Sequence, residues 1–463
     1  MRSSRQARKG ASSRFSLRGD LRTRASHMAV SGPVHGFLVQ LQKSRLLSDD
    51  DLKDAALTIA HLADPTPETI AAILVEDGFL TRFQAKRLLE GNPRGLVIDG
   101  YKLLEVLGAG GMGWVYIAEE METKWRVALK VLPDECRRDS GTLARFQLEA
   151  QAGMRLNHPN IVHTHALHKS EDIYGPIYYV VMELVRGINL FELLVLQRKL
   201  DWHQACDIVM QAACALEYAH SQGLIHRDIK PENLLICGDG TVKILDFGLA
   251  MVDEHDEEFS MAMIFGQNRL GTADYISPEQ YVDSYQIDER ADIYSLGCTL
   301  YFALTGKVPF PFDTTAKKLK AHLKKQATPV HELRTDIPPR LSSIVQKMMA
   351  KHPRNRIQTA ADVIRYLKPM GERQPISFSF RSVLAARIAN AKKRAAQKQE
   401  KSSPPPSSTP QIMPESPSGT PPTGRPDSPR QSTIETIVRE ETRLDQPRKR
   451  DLSAGDSPPD PRN

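Results

Sequence analysis

The chain has 463 residues, 40% of them hydrophobic and 25% charged, with a formal net charge of +6. This length excludes a single small module and predicts two or three units, while the mild basic excess, drawn from the two ends, excludes a dedicated nucleic-acid binder. The five cysteines (Cys136, Cys206, Cys214, Cys237 and Cys298) form no C-x-x-C pair and no run approaches the ~18–20 apolar residues of a bilayer-spanning helix, so a soluble protein of the reducing cytoplasm is expected.

Residues 1–33 read as a basic, disordered N-terminus, rich in arginine and serine, with Asp20 the only acid before residue 27. Met28 lies directly before ordered sequence and reads as an alternative start. Residues 34–95 are predicted to be a small helical domain. Ser48 followed by Asp49, Asp50 and Asp51 reads as a helix cap, Thr66-Pro67 opens another helix with proline at its first position, and Thr81-Arg82-Phe83-Gln84 is a capping box. The pairs Phe37-Leu38, Leu46-Leu47 and Phe79-Leu80 are expected at helix ends, as a loose two-part repeat. A unit of about 60 residues is marginal alone, so packing on a neighbour is predicted.

Next, Leu107-Gly108-Ala109-Gly110-Gly111-Met112-Gly113-Trp114-Val115 falls between strand-like runs at 101–107 and 114–119. Glycines at a hairpin tip let backbone N–H groups approach phosphates without a Cβ in the way. A dinucleotide fold would demand a helix from the third glycine, and the strand-like Trp114–Ala118 run rejects it. Lys130 is the one charge inside the apolar strand 127–132, and Glu149 follows on a helix expected from about 142 to 156. Paired, they would aim an ammonium at the α- and β-phosphates. Then come His226-Arg227-Asp228-Ile229-Lys230-Pro231-Glu232-Asn233 and Asp246-Phe247-Gly248. These two short loops hold a carboxylate, an ammonium, an amide oxygen and a second carboxylate. Moving a phosphoryl group to a hydroxyl needs such a set: one group to receive the proton, one to offset charge and two oxygen ligands for magnesium.

From residue 101 to about 367 the chain resembles a eukaryotic-like protein kinase of the bacterial serine/threonine type. The resemblance implies an α+β, bilobal protein kinase fold over 101–368, with an antiparallel β-sheet N-lobe and a mostly helical C-lobe, using ATP with Mg2+ or Mn2+. It casts Asp228 as the group that orients the hydroxyl and takes its proton, Lys230 as the neutraliser of γ-phosphoryl charge, and Asn233 and Asp246 as the metal ligands. Met182 would be the gatekeeper. The backbone of Glu183 and Val185 would bond adenine, and Leu107, Val115, Ala128 and Leu235 would sandwich its ring. Gly271-Thr272-Ala273-Asp274-Tyr275-Ile276-Ser277-Pro278-Glu279 resembles the end of an activation segment, with Ser277 where the family usually has alanine. Thr272 would bridge Asp228 and Lys230, Asp292 would anchor the catalytic loop, and Arg356 would pair with Glu279 in a buried bridge. Arg227 would receive negative charge from phosphorylated Ser260 or from the acidic run at 253–258, although that run reads first as a plain solvated loop.

Beyond 368, residues 378–401 read as a basic helix or linker, a solvated surface more than a membrane-touching one. Residues 402–463 read as a Pro/Ser-rich disordered tail. In it, Ser403, Thr409, Ser416, Thr420, Ser428 and Ser457 each precede a proline, and the apolar island 433–438 reads as a docking or autophosphorylation motif. The function expected is ATP-dependent phosphorylation of serine and threonine hydroxyls on protein substrates. The alternative is a nucleotide-binding signalling scaffold that recruits partners through the helical prefix and tail. A small-molecule phosphotransferase is disfavoured by the Thr272 segment and by Ser277-Pro278-Glu279.

Overall fold

The computed structural model describes residues 32–62, 65–110, 113–172, 175–247, 272–282 and 287–402. The basic start with Met28, Gly111 and Met112, Ser260 with its acidic run, and the Pro/Ser-rich tail with its island lie outside the described residues.

Four helices open the described chain: α1 (Gly32–Ser44), α2 (Asp49–Ala60), α3 (Pro67–Glu76) and α4 (Arg82–Leu89). Three begin with reciprocal side-chain caps. Ser48 Oγ accepts the Asp51 N–H at 3.1 Å while Asp51 accepts the Ser48 N–H at 3.2 Å, and the pairs Thr66/Thr69 and Thr81/Gln84 do the same. Each cap satisfies donors that helix geometry leaves open, typically worth ~1 kcal/mol. Val34, Phe37 and Leu41 line one face of α1 and meet Ile70, Leu74 and Leu88 in a separate apolar cluster. Leu46-Leu47 and Phe79-Leu80 do fall just before the capping residues Ser48 and Thr81, but Phe37-Leu38 sits in the middle of α1, because that helix already starts at Gly32.

The prefix completes itself on the sheet that follows. That sheet is antiparallel throughout, in the order β1-β2-β3-β4-β6-β5, built from β1 (Val97–Ile98), β2 (Tyr101–Gly110), β3 (Gly113–Glu120), β4 (Arg126–Val131), β5 (Thr164–Asp172) and β6 (Gly175–Glu183). The exposed edge of β2 would be a row of unpaired backbone groups. β1 pairs with part of it, and α4 covers more: Thr81 Oγ1 and Gln84 Nε2 each donate 2.7 Å hydrogen bonds to the Leu104 and Leu103 carbonyls. Gln84 is buried, and its amide oxygen also closes the cap at Thr81, so one side chain ties helix start to sheet.

Between β4 and β5 runs the helix Ser140–Arg155, which packs on β5. The C-lobe is mostly helical. It centres on Trp202–Ser221 and on Arg290–Thr305, whose residues from Ala291 to Leu304 are all buried, as expected of a helix apolar all round. A small sheet of β7 (Gly187–Asn189), β8 (Leu234–Cys237) and β9 (Val242–Ile244) lies where the lobes meet. After the C-lobe, the helix Phe380–Ser402 packs back on β2 and β7, where a solvated surface helix was expected. Its inward residues Val383, Leu384, Arg387 and Ile388 are too sparse to stand out in an Ala/Lys/Arg-rich sequence. Among the described residues, no helix is long and apolar enough to cross a membrane.

Candidate active site

Two short loops carry the residues expected to do the chemistry, and each contains a non-glycine residue in the left-handed region: Arg227 at φ +63° and Asp246 at φ +52°. Such backbone costs on the order of 1–3 kcal/mol per residue and persists only where its surroundings hold it. Here Asp292 supplies the hold. Fully buried, it accepts the N–H groups of His226 and Arg227 at 2.8 Å each, and His220 Nε2 lies 2.9 Å from it. Burial pushes the Asp292 carboxyl up, but the His220 hydrogen bond and charge outweigh it and hold the carboxyl below its ordinary range. Gln280 completes the brace by donating to the Arg227 carbonyl at 2.9 Å. Neither His220 nor Gln280 could be found from sequence, because each meets its partner across more than fifty residues with no local pattern.

The two loops are joined to one another. Leu245 N–H donates to the Asn233 carbonyl at 2.9 Å, His226 Nε2 lies 2.9 Å from the Leu245 carbonyl, and the His226 ring meets Phe247 edge-on. Asp228 is braced by Lys230 Nζ at 2.7 and 3.0 Å, and the Asn233 amide donates to the Asp228 carbonyl at 2.8 Å. Asn233 and Asp246 therefore sit on adjoining backbone.

From the other lobe, β4 delivers Lys130. Its Nζ lies 2.5 Å from Glu149 Oε1 on the helix Ser140–Arg155 and 3.3 Å from Asp246 Oδ1. Burial works against the charge on Lys130, and the Asp246 and Glu149 carboxylates overcome it, holding the ammonium above the ordinary lysine range. Burial also pushes the Glu149 carboxyl up to about 7. Part of the Asp246 side chain faces the cleft; the protein packed around it still opposes its charge, but Lys130 draws the carboxyl below its ordinary range.

A divalent cation and a nucleotide can be tested against these residues. Lys130 between Glu149 and Asp246 leaves a cationic deficit at the cleft, and the Asp246 side chain is 46% exposed there. Asn233 commits its amide nitrogen to the Asp228 carbonyl, so its oxygen is the atom able to ligate. Two hard oxygen donors on adjoining backbone fit magnesium or manganese. The apolar wall expected to take the base fits as well. Ala128 faces Met182 in register across β4 and β6, and Val162, Val185 and Leu235 form a small apolar cluster against Met182 and Leu245. The Glu183 carboxylate turns aside to Lys243 at 3.0 Å and its N–H goes to the His163 carbonyl at 2.9 Å, which leaves its carbonyl and the Val185 backbone as the polar edge. Leu107 and Val115 lie on the β2–β3 hairpin, whose pairing runs through Gly108↔Val115 and Ala109↔Trp114 to Gly110↔Gly113. Gly113, at φ +141°, must be glycine: a Cβ there would run into the Val131 carbonyl and the Pro133 ring.

On the far side, Thr272 opens the 3-10 turn Thr272–Asp274. Arg356 donates to Glu279 at 2.6 and 3.0 Å, with its guanidinium 5.0 Å above the Tyr294 ring. Ser277 is buried and has a use for its hydroxyl, which donates to Gln280 Oε1 at 2.9 Å and so helps aim the residue that holds Arg227.

A sheet lobe that lowers one lysine onto a loop carboxylate, facing a second loop with a lysine-braced aspartate, defines the protein kinase class of fold. The chain belongs to the protein kinase family: the description "Protein kinase domain" matches residues 101–366. It is 38% identical over 267 residues to the serine/threonine-protein kinase PknB of Mycolicibacterium smegmatis, covering 57% of this chain and 42% of that protein. It is 39% identical to PknB of Mycobacterium leprae over 267 residues, with the same coverage. It is 36% identical over 282 residues to the probable serine/threonine-protein kinase CPE1738 of Clostridium perfringens, covering 61% of this chain and 40% of that protein. The chain thus spans about two fifths of the length of the curated relatives it matches.

Proposed function

We propose that the protein transfers the γ-phosphoryl group of ATP to serine and threonine hydroxyls of protein substrates, itself included. The observation that carries this reading is the convergence of Lys130 on Asp246, with Asn233 and Asp228 joined to the same backbone. When bound, ATP with its divalent cation supplies the phosphoryl group and the charge neutralisation that its transfer needs. Asp228 orients the acceptor hydroxyl and receives its proton. Lys230, held 2.7–3.0 Å from both Asp228 oxygens, keeps that carboxylate aligned and offsets negative charge beside it. Lys130, held by Glu149, positions the α- and β-phosphates, and Asn233 and Asp246 hold Mg2+, with Mn2+ able to replace it. Lys230 two positions after Asp228, together with the serine/threonine kinases among the relatives, supports alcohol rather than phenol acceptors. With five free cysteines, a cytoplasmic setting fits. A complete lysine, aspartate and metal-ligand set argues against the scaffold reading.

The test is incubation with γ-labelled ATP, magnesium and a basic acceptor protein, followed by acid hydrolysis. Label is expected on phosphoserine and phosphothreonine and is expected to vanish when EDTA removes the metal. Label on phosphotyrosine alone, or transfer that survives EDTA, would overturn the proposal.

A further inference from the structure

The family match stops at residue 366, yet the chain beyond it is built into the kinase. His203 Nδ1 lies 2.9 Å from the Met370 carbonyl, and the Glu372 N–H donates to the His203 carbonyl at 3.1 Å. The Ile376 N–H then donates to the Gly238 carbonyl at 2.8 Å, in the turn between β8 and β9. That turn is shaped for the passing segment: at Gly240, φ +81°, a Cβ would sit 2.6 Å from the Gln374 carbonyl oxygen. The helix Phe380–Ser402 follows. Val383 is buried in the C-lobe core, and the helix lies against β2, the strand that leads into the glycine-rich hairpin. Arg387 makes a two-pronged contact with Glu192, Nε to Oε1 and Nη2 to Oε2 at 2.8 Å each, and Nη2 also reaches the Gly187 carbonyl at 3.2 Å. Gly187 is two residues beyond Val185, on the segment that joins the lobes. On the N-lobe side, burial raises the Glu105 carboxyl of β2, and a Val106 backbone hydrogen bond and, after it, the charge of Arg381 draw it back.

We infer that residues 370–391 form a clasp tying β2 to the C-lobe across the inter-lobe segment, and that Arg387 is a positioning residue for nucleotide binding, acting through Glu192 and the Gly187 carbonyl. The inference rests on the nucleotide site proposed above. A nucleotide that needs both lobes at once binds in proportion to the population in which they are correctly apposed. A planar, two-pronged guanidinium contact restricts the direction of approach as well as the distance. A solvated helix would leave lobe apposition untouched.

Glu192 allows a clean test, because it has two roles. It closes the capping box of the helix Leu190–Gln197, accepting the Asn189 N–H at 3.0 Å while its own N–H donates to Asn189 Oδ1 at 2.8 Å. Glutamine keeps such a box and removes the charge that Arg387 meets. Binding of a non-hydrolysable ATP analogue with magnesium is measured by calorimetry on the full chain and on Arg387→Ala, Arg387→Lys, Glu192→Gln and the Arg387→Ala/Glu192→Gln double variant. Arg387→Ala and Glu192→Gln should each weaken binding about three- to tenfold, with the double variant no weaker than the worse single one. Arg387→Lys should recover part of the loss, and melting temperatures should stay near wild type. Unchanged affinity in both single variants, or losses that simply multiply in the double, would overturn the clasp. A wild-type chain that binds no nucleotide would overturn the underlying site, and this inference with it, whereas tight wild-type binding with indifferent variants would remove the clasp alone.

Discussion

Asp228→Asn should lower kcat by about a thousandfold while leaving nucleotide affinity within a factor of two or so, since one positioned proton acceptor typically contributes 10²–10⁴ in rate. The substitution keeps the shape of the side chain. The backbone contacts around it also survive, because Asn233 bonds the Asp228 carbonyl and Asp292 holds the preceding amides. What is lost is the carboxylate that faces Lys230 at 2.7 and 3.0 Å. Loss of rate without loss of binding is the signature of a group that acts in the transition state. Steady-state kinetics beside a nucleotide titration on the same preparation would separate the two. A kcat within tenfold of wild type would remove Asp228 from its assigned role.

Arg356→Ala should destabilise the C-lobe by ~3–5 kcal/mol, lowering the melting temperature by roughly 10 °C for a domain of this size. The guanidinium is wholly buried, donates twice to Glu279, and also reaches the Ala350, Lys351 and Arg290 carbonyls. Truncation leaves the half-buried Glu279 carboxylate without its counter-charge and orphans those carbonyls together, which explains why the cost exceeds that of a surface ion pair. Glu279 lies one residue from Gln280, which braces Arg227, so activity should fall along with stability. Scanning calorimetry checks the claim. A melting temperature within about 2 °C of wild type would show the bridge to be energetically idle.

The two cases illustrate what can be read from a chain. The juxtaposition of Asp228, Lys230, Asn233 and Asp246 is legible because the phosphoryl transfer proposed for them needs particular groups on short loops, and short loops fix short spacings. The caps at Ser48 and Thr81 are legible for the same reason, as a cap and its partner are three residues apart, whereas Pro67 marks the helix start that Thr66 and Thr69 cap. Partners distant in sequence leave no such trace. His220 finds Asp292 across 72 residues and Arg387 finds Glu192 across 195. The basic helix was read as a solvated face because its composition is ordinary for one; only the fold shows that Val383, Leu384, Arg387 and Ile388 share the side turned to the kinase. Phe37-Leu38, expected at a helix end, lies inside α1, whose start at Gly32 is marked locally only by Pro33. At Ser277, where the family usually has alanine, nothing in the sequence announces that the hydroxyl donates to Gln280, which in turn donates to the Arg227 carbonyl.

The most direct measurement is a crystal structure of the full chain grown with a non-hydrolysable ATP analogue and magnesium. The account predicts metal bound by Asp246 and Asn233 oxygens, the Lys130 ammonium on the α- and β-phosphates, and the terminal phosphate facing Asp228. A nucleotide seated elsewhere, or a metal held without Asp246, would contradict it.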